Sequence, residues 1–197
     1  MRTTTALLVT ALSFSGASGC TVTQRTGTSP VQLFIASLEG GPGDDVSGFR
    51  HTFASDVLTN GRVVDDGGRA LLGLILKDPG TADLPTRPAP ANLVTISRYR
   101  VRYLRADGRA SPGVDVPYAF DGAVTFTVGP EGGVVRFVLV RAQSKLEPPL
   151  VTLRESGGSV ALSTLAEVTF YGRDQAGHDL NVVGLIGVNF ADWTDEE

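Results

Sequence analysis

The chain has one cysteine and two histidines among 197 residues. A single cysteine excludes an internal disulfide framework and any cysteine-rich zinc or iron–sulfur site. Two histidines leave little material for histidine-based catalysis or metal binding. Positive charge is not in excess either. The formal charge is −4, which argues against a wholly basic nucleic-acid binder, so no nucleic-acid partner is expected. No apolar run approaches the roughly 20 residues that a transmembrane helix needs. G-x-S-x-G, H-E-x-x-H, Walker and G-x-G-x-x-G motifs are all missing. What remains is a globular composition, 42% hydrophobic and 19% charged, which argues against a wholly disordered chain. Glycine (24) and proline (11) together make about one residue in six, so many turns are expected.

The N-terminus carries an export pattern. Met1-Arg2 is a short positive start, Ala6 to Leu12 an apolar core, and Ser13 to Gly19 a largely small and polar exit before Cys20. Ala17-Ser18-Gly19-Cys20 resembles the lipobox of bacterial lipoproteins, with Ala17 where leucine is usual. The resemblance implies cleavage before Cys20 and a diacylglyceryl group on its sulfur. Acyl chains contribute about 0.8 kcal/mol per buried CH₂, enough for a durable anchor. Ordinary signal-peptidase cleavage at the same bond is the alternative, because Ala17 and Gly19 suit it too. Thr21 after the cysteine, rather than aspartate, resembles the signal for an outer-membrane destination. Loss of Arg2 makes the mature chain more acidic, so the lipid rather than charge would hold it to a membrane.

The expected organisation is a signal peptide over 1–19 and a lipidated Cys20 with a tether over 20–30. One β-sandwich domain follows over 31–190, then an acidic tail over 191–197. Strands are expected at 31–38, within 49–58, at 61–64, 70–77 and 93–104, and at 122–129, 134–141, 159–172 and 179–190. Gly40 to Gly43 and Asp65 to Gly68 read as turns. Leu93 to Leu104 is the clearest strand. Tyr99, Val101 and Tyr103 share one face, while Arg98, Arg100 and Arg102 share the other. No long segment shows helical periodicity. Leu150 to Glu155 is expected to make at most one helical turn. The fold expected is therefore an all-β antiparallel sandwich of immunoglobulin or fibronectin type III kind with about eight strands. The stretch from Val168 to Phe190 resembles the closing hairpin of bacterial immunoglobulin-like domains, a family with no shared activity. The disulfide and buried tryptophan of antibody domains are absent, since Trp193 lies in the tail.

Four features are candidate sites. Arg98, Arg100 and Arg102 form a basic ladder with a spacing of about 6.6 Å, within a Debye length. It suits a lipid A phosphate, an acidic glycan or an acidic partner. The plainer reading is a solvent face with acidic neighbours across the strands. Asp44-Asp45, Asp65-Asp66, and Asp174 with Asp179 offer carboxylates. Asp174 and Asp179 are weak calcium candidates without an EF-hand loop, and no metal or other cofactor is expected. His51 near Ser55 and Asp56 is the material for a hydrolase, with His178 expected to be exposed in a turn. The P-x-x-P match Pro85-Thr86-Arg87-Pro88 reads as a stiff connector, and the Gly80 to Asn92 loop around it is the candidate contact region, with no ligand named. The function expected is a non-enzymatic, lipid-anchored envelope module that binds or braces an envelope protein or glycan. A glycan- or calcium-binding accessory of an outer-membrane or transport system is the alternative, and a hydrolase comes third.

Overall fold

The computed structural model describes residues 28–43, 48–154 and 156–193. Eight strands are formed: β1 (Val31–Pro42), β2 (Thr52–Asp56), β3 (Asp66–Leu76), β4 (Val94–Arg105), β5 (Phe120–Val128), β6 (Gly133–Val140), β7 (Leu162–Asp174) and β8 (Asp179–Ala191). They make two sheets. One has the order β1-β3-β6, and the other β2-β8-β7-β4-β5. The expectation of an all-β sandwich therefore holds. The expectation that it is wholly antiparallel needs correction, because β2 runs parallel to β8, with Phe53 opposite Val188. The chain crosses from the small sheet to the large one between β1 and β2, which puts β2 on the free side of β8.

Two expected turns are strand ends. Gly40-Gly41 of β1 lies opposite Gly68-Gly67 of β3 in an antiparallel ladder. The missing side chains are replaced by rings and branches from elsewhere. A Cβ on Gly68 would fall 2.4 Å from the Phe137 ring, and one on Gly40 would fall 2.7 Å from a Leu139 methyl. Glycine serves close approach here rather than chain reversal. The expected strand at 61–64 is instead a tight turn. Thr59 and Arg62 form a bridge around Asn60 and Gly61, both at positive φ. The helical expectation at 150–155 is met by a 3₁₀ turn, Leu150–Leu153, preceded by a helical turn at Ala142–Lys145.

β4 organises the core. Its inward residues Ile96 and Tyr99 are three apart, so simple alternation would put them on opposite faces. A bulge between Ile96 and Arg98 takes up the extra residue in both neighbouring ladders. Val94 and Ile96 therefore stay buried alongside Tyr99, Val101 and Tyr103. Tyr99 packs on Phe137 and Phe170, with ring centroids 5.2 and 6.4 Å away, and Phe137 meets Phe170 edge-on at 5.2 Å. Both phenols then cross to the opposite sheet. Tyr99 accepts a hydrogen bond from Val138 N at 3.1 Å, and Tyr103 donates one to the Leu139 carbonyl at 2.6 Å. Burial pushes both phenols above their usual range, and the Val138 N–H and Arg141 only partly offset this at Tyr99.

Tyr103→Phe would leave the Leu139 carbonyl buried without its partner. It is expected to lower the unfolding free energy by about 1–3 kcal/mol in urea titrations at unchanged m-value, with Tyr99→Phe costing less because its site is only partly buried. Unchanged midpoints in both variants would show that these bonds do not hold the sheets together.

Candidate functional site

The outer face of the five-stranded sheet carries a cluster of paired charges. Arg98 and Arg100 share one carboxylate, Asp121 of β5. Arg98 Nη1 donates to Oδ1 at 2.8 Å, and Arg100 Nη1 to Oδ2 at 3.0 Å. Arg102 makes a two-pronged contact with Glu167 of β7, at 3.1 and 3.0 Å. The ladder registers explain this, since Arg100 lies opposite Asp121 and Arg102 opposite Glu167. Arg98 also lies over the Tyr171 ring, 3.9 Å from its centroid. Three guanidinium groups thus meet two carboxylates, leaving one positive charge in surplus. The pairs are about half exposed, so each contributes on the order of 0.2–1 kcal/mol.

Above this network lies an open depression of about 620 Å³, lined by residues including Ser97, Arg98, Tyr171, Arg173, Asp179 and Asn181. The β4 bulge shapes its floor. On its other flank the sheet is apolar: Leu165 of β7 and Val183 and Leu185 of β8 are exposed. Leu185 lies opposite Glu167 and Val183 opposite Thr169, so the apolar strip is continuous with the arginine network.

The carboxylates proposed for calcium are engaged elsewhere. Asp179 pairs with Arg173 at 2.8–2.9 Å. Asp174 accepts from His178 N and faces His178 Nδ1, each at 2.8 Å. No cluster of three or more His, Cys, Asp or Glu suited to a metal is found among the described residues. Burial pushes the Asp174 carboxyl up, but hydrogen bonds from the His178 ring, its amide and the Ser29 hydroxyl outweigh it and hold it below the usual value. His178 is not the exposed turn residue expected, since its ring is only 11% exposed. The requirement to close the β7–β8 hairpin on Asp174 draws it in. Ser29, at the end of the expected tether, is likewise buried and accepts a hydrogen bond from Val31 N at 3.3 Å.

The comparisons with known proteins add little to this geometry. No family model matches the chain, and no curated protein is similar to it. A solved structure described as the X-ray structure of Northeast Structural Genomics Consortium target SoR45 is similar over 83% of this chain and 88% of its own. Its identity is 11% and its TM-score 0.34, too low to carry an argument.

The remaining sequence candidates do not converge. The His51 ring is exposed, with Nδ1 3.4 Å from the Leu38 carbonyl and Nε2 3.6 Å from Glu39. Ser55 faces inward and donates to Asp66 at 2.6 Å, so the two are not brought together as nucleophile and base. The Gly80 to Asn92 loop closes on itself through a Gly80–Pro85 bridge and leaves Leu84 exposed. Cys20, Asp44 and Asp45 lie outside the described residues. Sequence reading missed Lys145, which pairs with Asp66 in the interior, and it missed the apolar strip. The strip had a signal, because Val182-Val183 and Leu185-Ile186 make β8 apolar on both faces.

The depressed Asp174 carboxyl gives a signed pH dependence. Its contribution is present above the unfolded value near 3.8 and is lost as pH falls through the lower folded value. Asp174→Asn is expected to cost about 1–2 kcal/mol at pH 7. The gap to wild type should close on acidification, as read from urea midpoints at both pH values. A gap that widens towards acid would contradict this assignment.

Proposed function

We propose that the chain is a lipid-anchored cell-envelope protein whose sandwich is immunoglobulin-like and acts by binding a partner protein rather than by catalysis. The strand order supports the immunoglobulin reading. With β1 and β2 taken as halves of a split first strand, the small sheet reads A-B-E and the large one A′-G-F-C-C′. That is the immunoglobulin arrangement without its D strand. The export pattern ending at Cys20 supports the anchor, with the outer membrane as destination.

The observation that carries the binding reading is the outer face of the five-stranded sheet. An exposed apolar strip (Leu165, Val183, Leu185) abuts a network of arginines and carboxylates. Apolar centre and polar surround is the anatomy of a protein interface, where arginine is enriched. A glycan platform fits less well, because the Tyr171 face that a sugar ring would stack on is covered by Arg98.

Two measurements test this reading. Intact mass of the membrane fraction is expected to give a chain starting at Cys20 with diacylglyceryl mass, and Cys20→Ser should abolish it. An unmodified soluble chain would remove the anchor. A photo-crosslinking residue at Leu185 is expected to yield a discrete adduct in the envelope, lost when Arg102→Glu is added, while one at Gln32 on the other sheet gives none. Equal yields from both faces would remove the interface.

A further inference from the structure

Asp66 and Lys145 form an ion pair sealed in the interior. Their side chains are 3% and 0% exposed, and Nζ lies 2.8 Å from Oδ2. They come from separate elements, the first residue of β3 and the helical turn that follows β6. Ser55 of β2 donates to the same Oδ2 at 2.6 Å. Among the described residues, Lys145 Nζ has no acceptor beyond this carboxylate. The helical turn carrying Lys145 is held in place, since Arg154 Nη2 donates to the Lys145 carbonyl at 3.1 Å. Burial pushes the Asp66 carboxyl up, and nearby Asp56 adds to this, while Lys145 and Ser55 pull it back without cancelling the rise.

A dry ion pair pays the desolvation cost of both charges, which the attraction between them often fails to repay. Moving one proton from Nζ to the carboxylate leaves an amine against a carboxylic acid. Those are the two reactants of an amide, and fixed contact between reactants is equivalent to an effective concentration of about 10⁵–10⁸ M.

We propose that Asp66 and Lys145 condense into an intramolecular isopeptide bond. The Nζ lone pair attacks Asp66 Cγ, forming the C–N bond. The Cγ–Oδ2 bond breaks, and Oδ2 leaves as water with its own proton and one from nitrogen. No oxidant or reductant takes part. Ser55, already bonded to Oδ2, is placed to relay that second proton. A cavity of about 600 Å³, lined in part by Asp65, Asp66, Gly67, Phe137 and Ala142, borders the start of β3. The product removes both buried charges and ties β3 covalently to the segment between the two sheets.

The test is mass spectrometry on the purified full-length Cys20→Ser chain, so that its outcome does not depend on lipidation. The folded chain is expected to be lighter than its sequence mass by one water. Proteolysis should give a branched peptide joining Asp66 to Lys145. Lys145→Arg should restore the full mass, and Ser55→Ala should slow the loss at least tenfold in a refolding time course. Asp66→Asn should reach the same final mass as the parent, by losing ammonia instead of water. A folded chain of full mass would overturn the proposal. So would a water loss that survives Lys145→Arg, because Asp66-Gly67 is also a sequence that closes to a succinimide without any lysine.

Discussion

Two phenols hold this sandwich in register. Tyr99 and Tyr103 stand on β4, in the middle of the five-stranded sheet, and end on consecutive residues of β6 in the other sheet. One accepts from the Val138 amide and the other donates to the Leu139 carbonyl. β6 is an edge strand, and an edge that leaves its backbone groups unpaired is a template for aggregation. The tyrosines bind two of its backbone groups from across the core, with ring packing that fixes how far apart the sheets lie. Each ring thus joins apolar burial to a specific polar contact, and the β4 bulge exists to keep both rings inward.

The same alternation that turns the tyrosines in turns the arginines out. Arg98, Arg100 and Arg102 become a charged surface because Tyr99, Val101 and Tyr103 are core. Asp121 and Glu167 are the acids that the registers of β5 and β7 place beside them. The network neutralises most of the ladder, so the face offers geometry and a single surplus charge rather than a strong field. Beside it, Val183 and Leu185 are apolar without being needed for the core. That combination is what separates this face from an ordinary solvent face.

Period-two patterning made β4, β5, β6 and the β7–β8 hairpin readable, because each carries a clear inward and outward set. The glycine-rich stretches were misread for a physical reason. Gly40-Gly41 and Gly67-Gly68 have the composition of turns, yet their missing side chains make room for Phe137 and Leu139, which arrive from β6 and are remote in sequence. The parallel pairing of β2 was equally hidden, since its five residues have little alternation and their partner lies more than a hundred residues away. Of the candidate sites, the arginine ladder was legible because its spacing is local. The Lys145–Asp66 pair was not, because nothing near Lys145 in the sequence distinguishes a buried lysine from a solvated one.

The ends of the sandwich are secured differently. At one end, Ser29 and His178 converge on Asp174, so the residues just before β1 are fastened to the β7–β8 turn by hydrogen bonds to a carboxylate. In the anchored reading proposed above, only eight residues lie between Cys20 and Ser29. The β7–β8 turn is then the end held nearest the bilayer. At the other end, Asp66, Ser55 and Lys145 link β3, β2 and the β6–β7 connection through buried charge. The buried cluster lies where the chain passes between sheets, so it ties together segments that belong to both of them.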